Sequence, residues 1–110
     1  MKISYKSKKL ERSFATDRGL IKSYGILAGK IKQRKQQLES ADNLWVISQL
    51  PALRLHQYKG NRKGTWSIDI HKSWRILFEI EHNPIPTFED GGVDLKAITI
   101  ICIKSVEDPH

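Results

Sequence analysis

The apolar residues of this chain change their spacing partway along, from the period of a helix to the period of a strand. In the first half, an apolar stripe at helical intervals is formed by Leu20, Tyr24, Leu27, Ile31 and Leu38. From residue 53 onward apolar and polar residues alternate, as they do along half-buried strands. Helices are therefore expected first and a sheet second, which predicts an α+β domain.

The N-terminal residues predict a short strand followed by a brief helix. Ile3 and Tyr5 alternate with polar neighbours, which indicates a strand. Ser7 is a suitable N-cap for a helix that presents Leu10 and Phe14 on one face.

A longer helix is predicted from Leu20 to Ala41. Gly25 and Gly29 lie inside it, where each costs about 1 kcal/mol relative to alanine. We interpret them as room for the first helix to approach closely. The face opposite the apolar stripe is predicted to be basic, with Lys30, Lys32, Arg34 and Lys35.

The remaining chain predicts three or four strands, at about 53–57, 66–70, 74–80 and 95–103. Trp66 and Trp74 lie on the apolar faces of their strands and are expected in the core. The last strand is apolar on both faces, which is typical of a central position. The prediction is one α+β domain over residues 1–110, with two helices packed on a small, mostly antiparallel sheet.

Composition narrows the class of partner and the compartment. Nineteen Lys and Arg against twelve Asp and Glu give a net charge of +7, which favours an anionic partner such as nucleic acid. The single cysteine, Cys102, excludes an internal disulfide framework and fits a reducing compartment. The basic start never develops the apolar run of a signal peptide, so a cytoplasmic protein without a membrane partner is expected.

The stretch "LHQYKGNRKGTWSIDI" at 55–70 concentrates cations in one turn between two strands. A solvated hairpin loop is the common explanation for a charged turn. The alternative is a surface that contacts phosphate, with Tyr58, Trp66 and Trp74 as partners for stacking or packing.

Arg75 follows Trp74 at the start of a strand and points away from its apolar face. One interpretation is a cross-strand ion pair with Asp69 or Glu79. The other is a clamp on a phosphate or a transition state, because the planar guanidinium can hold two phosphate oxygens at once.

The histidines show no metal-ligand spacing, and no metal or cofactor is expected. Cys102 lies in an apolar strand, which favours a buried, inert thiol. His110 is the last residue: it is either a tag remnant or frayed end, or a terminal catalytic imidazole. Glu107 and Asp108 would favour its protonated form and raise its pKa.

Taken together, these segments resemble the HigB-type toxins of the RelE/ParE superfamily, from bacterial type II toxin–antitoxin systems. The resemblance is carried in order by "LP" at 50–51, "RLH" at 54–56, "YKGNRKGTWSI" at 58–68, "WRILFE" at 74–79 and "VEDPH" at 106–110. The helix end "LESADNL" and the loop "NPIPTFEDGGVDL" add to it, so it covers nearly the whole chain.

The resemblance implies a βααβββ toxin that enters the ribosome and cleaves mRNA without metal, by attack of the ribose 2′-hydroxyl. It assigns Lys59 and Arg75 to the phosphate, His110 to acid–base chemistry and Asp108 to orienting His110. The predicted RNA-contacting residues are Lys30, Arg34, Arg54, Arg62, Lys63, His71 and Lys72. The implied partners are a helix-turn-helix, HigA-like antitoxin and, through the toxin–antitoxin complex, operator DNA.

Two features depart from the family pattern. Pro109 replaces the usual tyrosine before the terminal histidine, which removes a hydroxyl from that position. In a simple hairpin, Lys59 and Arg75 would also lie at opposite ends of the middle strand, roughly 17 Å apart. Two alternatives therefore stay open: a toxin of the same fold that inhibits DNA gyrase or another protein without catalysis, and an inactivated toxin that only binds its antitoxin.

Overall fold

Helices and strands occur in the blocks that the change of period predicts. In the computed structural model, which describes residues 1–108, one strand comes first, four α-helices follow, and four strands complete the order. The elements are β1 (Lys2–Tyr5), α1 (Lys8–Ala15), α2 (Asp17–Tyr24), α3 (Ala28–Ser40), α4 (Leu44–Ser48), β2 (His56–Gln57), β3 (Thr65–His71), β4 (Trp74–Ile80) and β5 (Ile100–Glu107).

The first two helices meet at a shared cap. The Ser7 hydroxyl accepts a hydrogen bond from the Leu10 N–H and begins α1, as predicted. Thr16 ends α1 and caps α2, accepting from the Gly19 N–H. A Cβ at Gly19 would lie 2.8 Å from the carbonyl oxygen of Arg12, so this glycine permits the close approach of the two helices.

The single long helix predicted from 20 to 41 is wrong, because the chain breaks at Gly25. This residue has φ +54°, a backbone angle that favours glycine, and a 3₁₀ turn over Gly25–Leu27 separates α2 from α3. The interpretation of Gly25 and Gly29 as space for a neighbouring helix is also wrong. A Cβ at either position would have no atom within 4 Å.

The five strands form one mixed sheet in the order β1-β5-β4-β3-β2. β1 runs parallel to β5, with Ile3 opposite Ile101, and the other pairs are antiparallel. Two predicted strands differ from the observed ones in their bounds. Residues 53–57 contribute only β2, since Pro51–Leu53 is a 3₁₀ turn, and the last strand spans Ile100–Glu107 instead of 95–103. The last strand lies inside the sheet, between β1 and β4, as predicted.

The helices cover one face of this sheet and enclose the hydrophobic core. Ile31 and Leu38 of α3 are fully buried there, as are Ile68, Ile76, Phe78, Ile101 and Ile103 of the sheet. Trp66 is buried as predicted, whereas the core position predicted for Trp74 is wrong. Trp74 is the first residue of β4, does not belong to the core cluster and is 37% exposed.

The α+β class and the mostly antiparallel sheet are therefore confirmed. The βααβββ order is not, because residues 1–108 form four α-helices and five strands. Cys102 is buried in β5, as predicted. In the part of the chain that the structure describes, no helix is long and apolar enough to cross a membrane.

Candidate functional site

Arg75 lies at the centre of a polar cluster on the sheet face opposite the helices. Its neighbour Ile76 is buried in the core, and alternation along β4 turns Arg75 the other way. Its Nη1 donates a hydrogen bond to the Tyr58 hydroxyl at 3.2 Å. Its Nε lies 3.5 Å from Asp69 Oδ1 but makes no hydrogen bond with any group of residues 1–108. The guanidinium is thus held from two sides and keeps hydrogen-bonding capacity.

The predicted cross-strand pairing of Arg75 is confirmed for Asp69, which is its register partner on β3. Glu79, the other candidate, instead contacts Lys6 at 2.9 Å and Lys104 at 4.0 Å. Arg75 therefore has a structural partner and belongs to a larger cluster as well, so the two interpretations of this residue are compatible.

Asp69 is shared between two arginines. Its Oδ2 lies 3.6 Å from Nη1 of Arg54, whose side chain is 71% exposed. Arg54 follows a 3₁₀ turn and has φ +42°, an uncommon angle for a residue other than glycine. This backbone turn directs Arg54 from the edge of the sheet toward the same carboxylate that Arg75 approaches.

The basic turn, residues 59–64, is exposed, and it contacts this face through the flanking Tyr58 and through the Arg62 side chain. The Tyr58 N–H donates to the Thr65 carbonyl at 2.9 Å, which continues the β2–β3 pairing by one residue. The Tyr58 ring meets the His56 ring edge-on, with centroids 4.7 Å apart. The Arg62 guanidinium lies 5.8 Å from the Tyr58 ring centroid.

Arg62 is anchored at the opposite side of the cluster by Glu107. Its Nη2 lies 3.0 Å from Glu107 Oε1, and the Ser105 hydroxyl donates to Oε2 at 2.5 Å. The Ser105 hydrogen bond, and then that of Arg62, lower the pKa of Glu107, so this carboxylate stays ionised at neutral pH. Glu107 is also the register partner of Arg75 on β5, which brings the basic turn and Arg75 to one place.

The end of β5 is placed by this pairing. Because β5 runs antiparallel to β4 and Glu107 lies opposite Arg75, β5 ends beside Arg75. Asp108 is exposed at that point. His110 and Pro109 lie outside the described residues, so the predicted role of His110 stays a prediction.

The other predicted cations make no contact with Arg75 among residues 1–108, and Lys30 lies on α3, in the helical layer. Lys30, Lys59, Lys63, His71 and Lys72 are all exposed. Lys59 directly follows Tyr58, which pairs with Thr65, whereas Arg75 pairs with Asp69. The β3 partners of Tyr58 and Arg75, Thr65 and Asp69, are thus four residues apart along the strand, which is about 13 Å. The Tyr58 side chain spans this distance and contacts Arg75.

Arg34 is a correction to the predicted basic helix face. It is 7% exposed, and its Nε donates to the backbone carbonyl of Asp69 at 2.7 Å while Nη1 donates to Gln37. Arg34 lies three residues after Ile31 and four before Leu38, so helical geometry turns it toward the sheet. Its hydrogen bond joins α3 to β3, the strand that carries Asp69. A buried Arg34 is therefore not part of the RNA-contacting surface that the sequence predicts.

Tyr58, Asp69 and Glu107 are the members of this cluster that sequence reasoning did not place among the site residues. The sequence predicts only stacking or packing for Tyr58 and only an ion pair for Asp69. Alternation along β3 and β5 gives a signal for Asp69 and Glu107, but no sequence spacing connects Tyr58 with Arg75. Within residues 1–108, no group of three or more His, Cys, Asp or Glu side chains is arranged to hold a metal ion.

Comparison with known proteins identifies the class of protein to which this chain belongs, and then its family. The model of the RelE-like toxins of type II toxin–antitoxin systems, HigB, matches residues 3–90. Endoribonuclease HigB of Proteus vulgaris is 32% identical over 78 residues, which cover 69% of this chain and 80% of that protein. The chain is therefore a toxin of the RelE-like class. It belongs to the HigB family, and this membership implies a cognate antitoxin as its partner.

Proposed function

We propose that this chain is an mRNA endoribonuclease that acts on translating ribosomes in the cytoplasm and halts protein synthesis. The observation that carries the proposal is the convergence of Arg75, Arg62 and Tyr58 on one sheet face, next to the end of β5. Membership in the HigB family and the similarity to the endoribonuclease of Proteus vulgaris support it.

The proposed reaction is attack on the phosphorus by the 2′-hydroxyl of the ribose that carries the phosphate on its 3′-oxygen. The 2′-oxygen forms a bond to phosphorus and its proton passes to a base, while the bond to the 5′-oxygen breaks and that oxygen takes up a proton. The products are a 2′,3′-cyclic phosphate and a 5′-hydroxyl, so DNA, which lacks the 2′-hydroxyl, is not a substrate.

Side chains of this family member would supply what this reaction needs. Arg75 and Lys59 would neutralise the charge that develops on the phosphoryl oxygens, where positioned donors have their largest effect. His110 would move the protons, with Asp108 orienting its imidazole. We propose no metal and no other cofactor, because these groups provide both charge stabilisation and proton transfer.

Exposed cations of the sheet side and of α3 would bind ribosomal RNA and the mRNA backbone. Exposed cations of the turns, the sheet edge and α3 provide this surface: Arg54, Arg62, Lys63, His71, Lys72 and Lys30. Their contribution would be long-range and weakened by salt. We further propose that the antitoxin is a HigA-like helix-turn-helix protein and that the toxin–antitoxin complex binds operator DNA.

The test is induced expression in bacteria, with growth curves and mapping of transcripts that carry 5′-hydroxyl ends. The wild type should arrest growth and generate new mRNA ends, and Arg75→Ala or His110→Ala should lower cleavage by about 100-fold or more. Arg18→Ala, at an exposed position on α2, is the matched control and should behave as wild type. Purified protein should cut translated mRNA and leave naked mRNA intact.

Two results would contradict the proposal in different ways. Arrest that survives both substitutions, with DNA damage and no new mRNA ends, would indicate a toxin that binds gyrase or another protein. Absence of arrest in the wild type would indicate an inactivated toxin, and attention would turn to Pro109.

A further inference from the structure

The Tyr58 hydroxyl is a neutral hydrogen-bonding group held directly against Arg75. Its oxygen must accept from Arg75 Nη1, since a guanidinium has only donors. The phenol proton is then directed elsewhere, and among residues 1–108 the hydroxyl makes no other hydrogen bond than the one from Arg75. A hydroxyl whose lone pair is engaged and whose proton makes no hydrogen bond in the described chain is suited to an anionic ligand.

The Tyr58 side chain is held in position by contacts on several sides. The His56 ring packs against it edge-on, and the Arg62 guanidinium lies 5.8 Å from its centroid. Arg62 is itself tied to Glu107 at 3.0 Å. The hydroxyl therefore has a defined place, and its orientation costs little when a ligand binds.

The charge around the hydroxyl selects the kind of ligand. Arg75 contacts the phenol oxygen and Arg62 lies near the Tyr58 ring, so the phenol proton is in a positive local field. A phosphodiester offers two non-bridging oxygens, one for a guanidinium and one for a neighbouring donor. The spacing of Arg75 and Tyr58, whose atoms already touch at 3.2 Å, fits two oxygens of one phosphate.

We infer that Tyr58 binds the scissile phosphate beside Arg75 and donates a hydrogen bond to a non-bridging oxygen as negative charge develops there. This inference rests on the proposed function and adds a residue to it. Tyr58 also fixes the direction of the Arg75 guanidinium, so that the two groups act as one unit on the phosphoryl oxygens.

The test uses Tyr58→Phe, which keeps the ring that packs on His56 and removes only the hydroxyl. Tyr24→Phe is the matched control, because its hydroxyl bonds to Ser13 within the helical layer. In a reconstituted translation system, we expect kcat for mRNA cleavage to fall about 100-fold in Tyr58→Phe. Tyr24→Phe should cleave as wild type, and the circular dichroism spectrum of both variants should be unchanged.

A second measurement separates phosphate contact from a purely structural role. Each phosphorothioate diastereomer at the scissile bond replaces one non-bridging oxygen by sulfur, a poorer acceptor. The wild type should discriminate between the diastereomers, and Tyr58→Phe should change the ratio of their cleavage rates several-fold. Cleavage by Tyr58→Phe at the wild-type rate, or an unchanged ratio, would overturn the inference.

Failure of the proposed function is recognised separately. If the wild type does not cleave, the probe is a ribosome programmed with mRNA that carries a 2′-deoxynucleotide in the A-site codon. Weaker binding of this complex by Tyr58→Phe than by Tyr24→Phe would support the phosphate contact without catalysis. Equal binding by the two variants, or no binding by the wild type, would overturn it.

Discussion

Arg34 gives the sharpest test of the fold, because its sequence position and its observed contacts lead to opposite expectations. Arg34→Met keeps an unbranched apolar stem in the buried site and removes the guanidinium. The Asp69 carbonyl then loses a charged donor at 2.7 Å, and Gln37 loses its partner. A hydrogen bond from a charged group contributes about 1.5–3 kcal/mol, so we expect the free energy of unfolding to fall by about 2 kcal/mol.

The measurement is denaturant unfolding at neutral pH, with Lys30→Met on the exposed side of α3 as control. A loss of about 2 kcal/mol corresponds to roughly 10 °C in Tm for a domain of this size, while Lys30→Met should change stability by less than about 0.5 kcal/mol. A stable Arg34→Met variant that binds RNA poorly would refute the structural role and restore the phosphate contact predicted from sequence.

Three further predictions concern local features. Burial, and then Glu39 and Glu11, raise the pKa of Tyr5 to about 12; stability should fall as pH rises from 10 toward 12, and Tyr5→Phe should lose less in alkaline unfolding. Gly25→Ala should destabilise by at least about 1 kcal/mol, because φ is +54° there, whereas Gly29→Ala in α3 should be neutral or stabilising in thermal unfolding. The lowered pKa of Glu107 means that its contribution is present above pH 4.5 and lost as pH falls through the lowered value; Glu107→Gln should lose less stability than wild type in acid titration.

The positions of the helices and of the inner strands follow from periodicity, and the ends of these elements do not. The apolar stripe from Leu20 to Leu38 continues across the break at Gly25, because Leu20 of α2 and the buried residues of α3 belong to one hydrophobic core. Periodicity reports which residues face inward and is insensitive to a turn that keeps that direction. A positive φ at Gly25 depends on tertiary packing, which a spacing pattern does not contain.

The spacing of the apolar residues in α3 contains a signal that Arg34 is buried, although the prediction places Arg34 on the exposed basic face. The interval of seven between Ile31 and Leu38 leaves one helical position on the buried stripe, and Arg34 occupies it. A cation at such a position predicts a buried hydrogen-bonded partner more strongly than it predicts an exposed basic surface. The partner, a backbone carbonyl of β3, could not be identified from sequence because it depends on how α3 crosses the sheet.

Some contacts of the candidate site also follow from the sequence, and others do not. The pairing of Arg75 with Asp69 follows from strand alternation and register, whereas the contacts of Tyr58 with Arg75 and of Arg62 with Glu107 join segments 17 and 45 residues apart. These contacts require the basic turn to fold over the sheet. Glycine and charge in the sequence permit that conformation without specifying it.

The ion pairs of the site indicate that its arginines and the exposed lysines have different roles. The arginines are held in a fixed direction, and the lysines attract the polyanion. Arg54, Arg62 and Arg75 contact Asp69 and Glu107, so three guanidinium groups and two carboxylates carry a single net positive charge. Such a cluster attracts a polyanion weakly from a distance, but its arginines are already directed when a phosphate arrives. On the proposed function, the exposed lysines around it would provide most of the salt-sensitive attraction to RNA. On the same proposal, the carboxylates would serve catalysis by limiting the freedom of the arginines. Asp69→Asn or Glu107→Gln should then strengthen RNA binding and slow cleavage, which binding and cleavage assays on the same variants would measure.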